Sequence, residues 1–183
     1  MSQNTGLTAS MIATLWVGII ALFAKKALGS VVDSSPSGSA SALAGAPSSV
    51  LRWRALVEDE TAADSSNINP DLILAMIWQE SAGNPRARGA AGEIGLMQLM
   101  PATAADVGVP NPSDLLVPEI NVRAGIDYMA FCFNITDSVY NALRCYNAGP
   151  SGSAIHPSRG KAYANSVLNR ALGTSDVDYS GNG

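Results

Sequence analysis

Histidine, cysteine and charged residues are all scarce in this 183-residue sequence. Its one histidine, His156, and its two cysteines form neither a CxxC pair nor a Cys/His cluster, so no metal site is expected. Eleven Lys and Arg residues against fifteen acids give a net charge of −4. The sequence therefore lacks the clustered positive charge that binds nucleic acid. Phosphate-cradling and dinucleotide fingerprints are absent as well. The sequence therefore predicts neither a cofactor nor a nucleic-acid partner.

The two cysteines, Cys132 and Cys145, leave their redox state open. They lie 13 residues apart within predicted helices. A disulfide is consistent with this spacing in an oxidising compartment, and two partly buried thiols are equally consistent with it. The sequence alone does not distinguish these two states.

Charge is entirely missing from residues 1–24, where residues 7–24 form a predominantly apolar run closed by Lys25 and Lys26. This run approaches the length of about 20 apolar residues that spans a bilayer core. A cleaved signal peptide is the alternative, since small residues follow the lysines, but no basic residue precedes the run. The sequence predicts an N-terminal transmembrane anchor over residues 1–29, with lipid as a partner.

The composition changes twice after this anchor. Residues 30–50 are rich in Ser, Gly, Ala and Pro without periodicity, which predicts a flexible linker. From residue 51 to residue 173, short helical patterns alternate with Gly, Pro and Asn signals, which predicts one mainly α-helical domain. Residues 174–183 are predicted to be a flexible tail. Helices are expected at about 51–64, 70–82, 101–107, 118–133, 136–147 and 160–172.

The helix predicted over residues 70–82 has the clearest boundaries. Asn69 is a capping residue, Pro70 suits the first helical position, and Asp71 complements the positive end of the helix dipole. Gly83 and Pro85 end the pattern. These boundaries fix the face that each side chain of the helix occupies.

Glu80 continues the apolar stripe of this helix, which consists of Leu72, Ile73, Met76 and Ile77. A carboxyl group there loses solvent and lies at the negative end of the helix dipole, and both effects raise its pKa. Cleavage of a glycosidic bond needs a protonated acid near neutral pH, because the leaving sugar oxygen requires a proton. The alternative is that Glu80 is an exposed residue where the helix ends.

Three short motifs follow along the chain. Residues 80–85 read ESAGNP, residues 92–101 read GEIGLMQLMP, and residues 145–150 read CYNAGP. They resemble the Glu-Ser, Gly-Leu-Met-Gln and Ala-Tyr-Asn marks of the soluble lytic transglycosylase (SLT) family, in family order, between residues 69 and 172. The resemblance implies a lysozyme-like α-helical fold related to goose-type lysozyme, and an enzyme that acts on peptidoglycan.

The resemblance also implies roles for individual residues. Glu80 is the expected catalytic acid/base. Six other residues are expected to bind substrate or support the site: Ser81, Gln98, Met100, Tyr146, Asn147 and Tyr163. Among them, Ser81 supports the turn after the catalytic residue, and the Tyr146 hydroxyl bonds near the Glu80 carboxyl group. Each also has a structural alternative, such as core packing for Met100 or satisfaction of a backbone carbonyl by a tyrosine hydroxyl.

Two positions in the loop that follows Glu80 depart from the family pattern. Gly89 stands nine residues after Glu80, where the family commonly has a serine, so one hydrogen bond of the site is expected to be missing. Glu93 follows Gly92 where alanine is usual, and we expect it to be a solvated loop carboxylate. If Glu93 instead faced the groove, it could activate water and shift the product towards hydrolysis.

The reaction implied by the resemblance is cleavage of the β-1,4 bond between N-acetylmuramic acid (MurNAc) and N-acetylglucosamine (GlcNAc), with formation of 1,6-anhydro ends. The enzyme would act while anchored, in the periplasm or on a virion membrane, and open the wall locally for phage entry or an envelope-spanning machine. Virion or secretion-complex proteins would then be its partners. The lysines after the anchor favour a cytoplasmic domain by the positive-inside rule, so the membrane orientation stays open.

Two alternative functions remain at this stage. One is a goose-type muramidase, which hydrolyses the same bond. The other is a non-catalytic assembly protein that keeps the groove only to bind glycan. The products formed from peptidoglycan distinguish all three, because the first reaction leaves anhydro ends, the second leaves reducing ends, and the third leaves neither.

Overall fold

The computed structural model describes residues 42–155, 158 and 160–181, and this part of the chain is mainly α-helical. Extended structure within these residues is limited to isolated bridges, between Arg88 and Ile94 and between Ile94 and Leu99. The helices are α1 (Ser48–Leu51), α2 (Arg54–Ala63), α3 (Pro70–Ser81), α4 (Pro101–Asp106), a 3-10 helix (Pro112–Leu116), α5 (Pro118–Ile135), α6 (Val139–Ala148), α7 (Pro150–Ile155) and α8 (Lys161–Leu172). The prediction of a mainly α-helical domain is confirmed.

The six predicted helices are all present, as α2, α3, α4, α5, α6 and α8, and their ends differ from the predicted ends by three residues at most. The short helices α1 and α7 and the 3-10 helix were not predicted. Helices of four to six residues complete too few turns to show a periodic pattern, and of these short helices only α4 was predicted. Sequence periodicity therefore detects the long helices and misses most of the short connecting ones.

The N-terminal predictions lie mostly outside the described residues. The predicted anchor, residues 1–29, and the first part of the predicted linker belong to that region. Within the described part of the chain, no helix combines the length and the apolar character needed to cross a bilayer. The end of the predicted linker packs on the domain, since Leu43 and Val50 are buried in the core. The packed chain thus begins before residue 51, because these two apolar side chains occur within a segment of linker-like composition.

The segment after α8 also packs on the domain. The Asn169 Oδ1 accepts hydrogen bonds from the Thr174 hydroxyl and the Val177 N–H, and the Asn165 Oδ1 accepts one from the Tyr179 N–H. The described residues of the predicted tail are therefore folded back along α8.

α3 forms the centre of the core, where residues 72–77 are all buried. The Asn69 side chain caps its first turn by accepting a hydrogen bond from the Asp71 N–H, as the sequence predicts. The helix ends with Ala82 at φ 51° and Gly83 at φ 79°. Two successive left-handed residues turn the chain sharply away from the last helical turn, which leaves Glu80 at the edge of the core.

α5 and α6 are joined by a disulfide between Cys132 and Cys145, whose Cα atoms lie 5.7 Å apart. This resolves the redox state that the sequence left open. Both cysteines are fully buried.

Asn121 of α5 holds the loop that follows α3. It is fully buried, its Oδ1 accepts a 2.8 Å hydrogen bond from the Met97 N–H, and its Nδ2 donates to the carbonyls of Ile94 and Leu115 at 2.9 Å and 3.0 Å. Gly95 permits this approach, because a Cβ there would collide with the Asn121 amide. One buried side chain thus fixes the loop that contains the Gly-Leu-Met-Gln motif.

Candidate active site

Glu80 lies in the last turn of α3, where its side chain is half-buried. Its Oε1 accepts a 2.7 Å hydrogen bond from the hydroxyl of Tyr163 on α8. Burial raises the pKa of Glu80 to about 7, the Tyr163 hydrogen bond opposes that shift, and the negative charge of Glu93 adds to it. The carboxyl group can therefore gain and lose a proton near neutral pH, and burial is the main cause, as expected from its place on the apolar stripe.

Tyr146 and Tyr163 are stacked, with ring centroids 6.5 Å apart and ring planes 10° apart. The Tyr146 hydroxyl donates to the backbone carbonyl of Met97 at 2.9 Å. The hydrogen bond expected from Tyr146 at the Glu80 carboxyl is thus made by Tyr163, because the loop held by Asn121 places the Met97 carbonyl in front of Tyr146. Burial raises the pKa of both tyrosines well above the usual value, so both remain protonated donors.

A pocket of about 110 Å³ opens beside Glu80. Four of the six predicted substrate-binding residues line it. Met100 is 39% exposed and Asn147 is exposed, so both are accessible to a ligand. The complete lining is Glu80, Glu93, Gln98, Leu99, Met100, Thr103, Tyr128, Tyr146 and Asn147.

Gln98 has the left-handed φ of 47°, which is uncommon for a residue with a side chain. Its Nε2 donates to the carbonyls of Gly95 and Ala87 at 2.8 Å and 3.2 Å. These hydrogen bonds connect Gln98 to other residues of its own loop, and Gln98 also forms part of the pocket wall. Gln98 therefore braces the loop as well as lining the site.

Ser81 does not line the pocket. Its hydroxyl donates to the Leu96 carbonyl at 2.8 Å and accepts a 3.2 Å hydrogen bond from the Gly83 N–H. These hydrogen bonds lie within the turn after α3 and its contact with the following loop. Ser81 joins the end of α3 to the loop that carries Gln98.

Glu93 lines the pocket, so it takes the groove-facing position that the sequence analysis gave as the alternative. It is half-buried, and its Oε2 accepts a 3.0 Å hydrogen bond from the Ala91 N–H. The signal that could have located it is the pair of departures at positions 89 and 93. Thr103 and Tyr128 also line the pocket. The spacing of these two residues in the sequence gives no signal that would identify them as site residues.

A larger depression of about 580 Å³ lies between α8 and residues 174–178, with Trp78 and Arg170 in its wall. It contains none of the predicted site residues. The smaller pocket is the stronger candidate, because it holds the carboxyl group whose pKa lies near neutrality. Over the residues that the structure describes, no group of three or more His, Cys, Asp or Glu is placed to hold a metal ion.

The Transglycosylase SLT domain model matches residues 59–167, which is more than half of the chain. A transglycosylase of Enterobacteria phage PRD1 is 33% identical over 121 residues, which cover 66% of this chain and 43% of the phage protein. The endo-type membrane-bound lytic murein transglycosylase A of Klebsiella pneumoniae is 37% identical over 92 residues, which cover 46% of this chain and 44% of that protein. The chain thus spans less than half of the length of either relative.

The fold is similar to that of a solved structure. The crystal structure of the 70 kDa soluble lytic transglycosylase from Escherichia coli matches with a TM-score of 0.51 and 27% identity, over 70% of this chain and 23% of that one. This likeness confirms the predicted fold class of the domain, a mainly α-helical, lysozyme-like globule.

Proposed function

The chain belongs to the transglycosylase SLT domain family, and from that membership we propose that it is a peptidoglycan lytic transglycosylase. The proposed reaction cleaves the β-1,4 bond between MurNAc and GlcNAc without water and leaves 1,6-anhydro-MurNAc ends. Glu80 is the proposed catalytic acid/base, and the reaction uses no cofactor.

The observation that carries this proposal is the position of Glu80, a half-buried carboxyl group in the pocket wall that accepts a hydrogen bond from Tyr163 and whose pKa is raised by burial. With a pKa of about 7, the group is partly protonated and partly ionised near neutral pH. A general acid/base works best when its pKa lies near the operating pH. One carboxyl group can then serve as acid and as base in successive steps.

In the first step Glu80 gives its proton to the bridging oxygen, and the bond between that oxygen and C1 of MurNAc breaks. The C6 hydroxyl of the same sugar then bonds to C1, and its proton passes to the Glu80 carboxylate. This closes the 1,6-anhydro ring and restores the protonated acid. Tyr163 orients the carboxyl group throughout by its 2.7 Å hydrogen bond to Oε1.

The pocket offers groups suited to amino sugars. Gln98 and Asn147 carry amide side chains, which can donate to and accept from an N-acetyl group. Met100 supplies an exposed apolar surface for a sugar ring. We assign these three residues to substrate binding, whereas Ser81 and Tyr163 act by positioning the loop and Glu80.

We further propose that the enzyme is anchored in a membrane and opens the wall locally, for phage entry or for an envelope-spanning machine. The support is the apolar run of residues 7–24, together with one relative named as membrane-bound and one from a phage. Fractionation of the full chain and of a variant that starts at residue 30 tests the anchor. Recovery of both proteins in the aqueous fraction would contradict it.

The reaction is tested by digesting purified peptidoglycan with the full chain and analysing the muropeptides by mass spectrometry. The wild type is expected to produce anhydro ends. Glu80→Gln keeps the shape of the side chain and removes its titration, so the yield should fall by at least about 100-fold, the lower range for a general acid/base.

Asp59→Asn is the matched control, because it neutralises an exposed carboxyl group on α2. It should cleave like the wild type. Equal cleavage by the wild type and Glu80→Gln, or none by the wild type, would contradict the proposed function. In the second case, retained binding to insoluble peptidoglycan would identify a glycan-binding protein.

A further inference from the structure

Gly89 and Glu93 belong to one tight turn beside the active-site pocket. The Gly89 N–H donates to the Glu93 carbonyl at 2.9 Å, and the Gly92 N–H donates to the Gly89 carbonyl at 3.2 Å. The turn places the Glu93 side chain against Gly89, where a Cβ would collide with Oε2 of Glu93. The missing side chain at position 89 thus leaves the space that the carboxylate fills.

The carboxylate of Glu93 is oriented in that space. Its Oε2 accepts the 3.0 Å hydrogen bond from the Ala91 N–H, and the side chain is half-buried. Among the residues that the structure describes, no lysine or arginine forms an ion pair with it. An ionised carboxylate has about four acceptor sites on its two oxygens, so Glu93 retains acceptor capacity for a water or a sugar hydroxyl.

Glu93 and Glu80 line the same pocket and differ in what surrounds them. Burial is the main cause that raises the pKa of Glu80 to about 7, and the negative charge of Glu93 adds to it, whereas the Tyr163 hydroxyl bonds to Glu80 and the Ala91 N–H bonds to Glu93. Two carboxyl groups that line one pocket are the equipment of a glycoside hydrolase, in which one donates a proton to the leaving oxygen and the other activates water.

We propose that Glu93 is a general base that delivers water to C1 of MurNAc, so that the enzyme also hydrolyses the bond that it cleaves by ring closure. This inference rests on the proposed function of Glu80. In the hydrolytic step Glu80 gives its proton to the bridging oxygen as the C1–O bond breaks. The water oxygen bonds to C1, and the released proton passes to the Glu93 carboxylate. The products are a reducing MurNAc end and a GlcNAc with a free 4-hydroxyl.

The ratio of the two kinds of end measures this activity. Peptidoglycan is first reduced with borohydride, so that every reducing end detected afterwards is new, and it is then digested with the full chain. The wild type is expected to yield reducing ends together with anhydro ends. Glu93→Gln keeps the shape of the side chain and loses the base, so the ratio of reducing to anhydro ends should fall by about 100-fold.

Gly89→Ala supplies an independent test of the position of the carboxylate. The added methyl group displaces Glu93 from its space, so this variant should shift the product ratio in the same direction as Glu93→Gln. In a Glu93→Ala background the same substitution should change nothing further. The ratio of reducing to anhydro ends does not depend on how much of the protein is folded. These comparisons are therefore valid even when a variant is less stable.

The product analysis can overturn the inference in two distinguishable ways. Anhydro ends alone from the wild type, or an equal ratio from Glu93→Gln, would overturn the hydrolytic role of Glu93 and leave the transglycosylase intact. No new ends of either kind from the wild type would overturn the proposed function itself, and the inference with it.

Discussion

Tyr163 donates a 2.7 Å hydrogen bond to Oε1 of Glu80, although 83 residues separate the two in the sequence. The bond stabilises the ionised carboxylate, whereas burial of Glu80 acts in the opposite direction and is the larger influence on its pKa. The proton affinity of the proposed catalytic acid is therefore a balance between α3, which buries the group, and α8, which supplies its donor.

Tyr163→Phe is predicted to raise the pKa of Glu80 further. The substitution keeps the ring that stacks on Tyr146 and removes only the hydroxyl. Because the lost bond favoured the ionised form, the alkaline limb of the kcat/KM profile should move to higher pH. The maximal rate should fall roughly tenfold, since one hydrogen bond to a charged group no longer orients the carboxyl.

Tyr179→Phe is the control for this experiment. Its hydroxyl is bonded to Thr174, in the segment after α8, and not to the site. The variant should reproduce the wild-type profile. A Tyr163→Phe limb that stays in place, or moves to lower pH, would show that the hydrogen bond does not govern the titration of Glu80.

Glu80 is also predicted to make the folded protein less stable as the pH rises. Its pKa increases from the ordinary 4.5 to about 7 on folding. Below pH 4.5 Glu80 is protonated in both the folded and the unfolded chain, so it causes no loss of stability. Between the two values the unfolded chain ionises while the folded one keeps its proton, so stability is lost progressively and the loss is complete above the folded pKa.

Glu80→Gln should therefore stabilise the protein by up to about 3 kcal/mol near pH 8 and give no such gain near pH 4. Urea unfolding of both proteins at the two pH values measures the difference. Asp59→Asn, on the exposed face of α2, should show no comparable gain. An equal effect of Glu80→Gln at both pH values would mean that the burial of the carboxyl is not linked to its titration.

The parts of the fold that the sequence predicts are those set by local chemistry. The bounds of α3 follow from Asn69 at the cap, Pro70 at the first position and the turn that begins at Gly83. The place of Glu80 at the edge of the core follows from the same helix. These signals lie within a few residues of the feature that they determine.

The parts that the sequence does not predict depend on packing between distant segments or on empty space. The contact of Tyr163 with Glu80 exists because α8 packs on α3. Glu93 enters the pocket because Gly89 has no side chain, and residue types alone predict exposure for an acid in a loop. Leu43 and Val50 are hidden in a segment of linker-like composition. Such relations are geometric: the departures at positions 89 and 93 from the family pattern pointed to one of them, and no local pattern encodes the others.

The disulfide between Cys132 and Cys145 is predicted to stabilise the domain by about 3 kcal/mol, because it closes a short loop in the unfolded chain. The melting temperature of the wild type should fall when dithiothreitol is added. The double variant Cys132→Ala/Cys145→Ala should melt lower than the oxidised wild type and be indifferent to reductant. A wild type that is equally indifferent, with two titratable thiols, would show that the bond does not form in solution.

Gly83 is predicted to be indispensable at the end of α3. Its φ is 79°, and an added Cβ would collide with the backbone carbonyl of Ser49 in α1. The Trp53 Nε1 also donates a 3.0 Å hydrogen bond to the Gly83 carbonyl, so Gly83 connects the end of α3 to the segment that contains α1 and Trp53. Gly83→Ala must therefore move α1 away from the helix that carries Glu80.

Gly108→Ala separates the two causes of destabilisation in Gly83→Ala, which are the positive φ and the collision with Ser49. Gly108 has a similar φ of 90°, and a Cβ there would meet nothing within 4 Å. That variant should lose only about 1 kcal/mol, the strain of a left-handed alanine, whereas Gly83→Ala should lose at least about 3 kcal/mol. Urea unfolding measures both losses. Equal losses would mean that residues 48–53 shift aside freely and that the end of α3 does not depend on them.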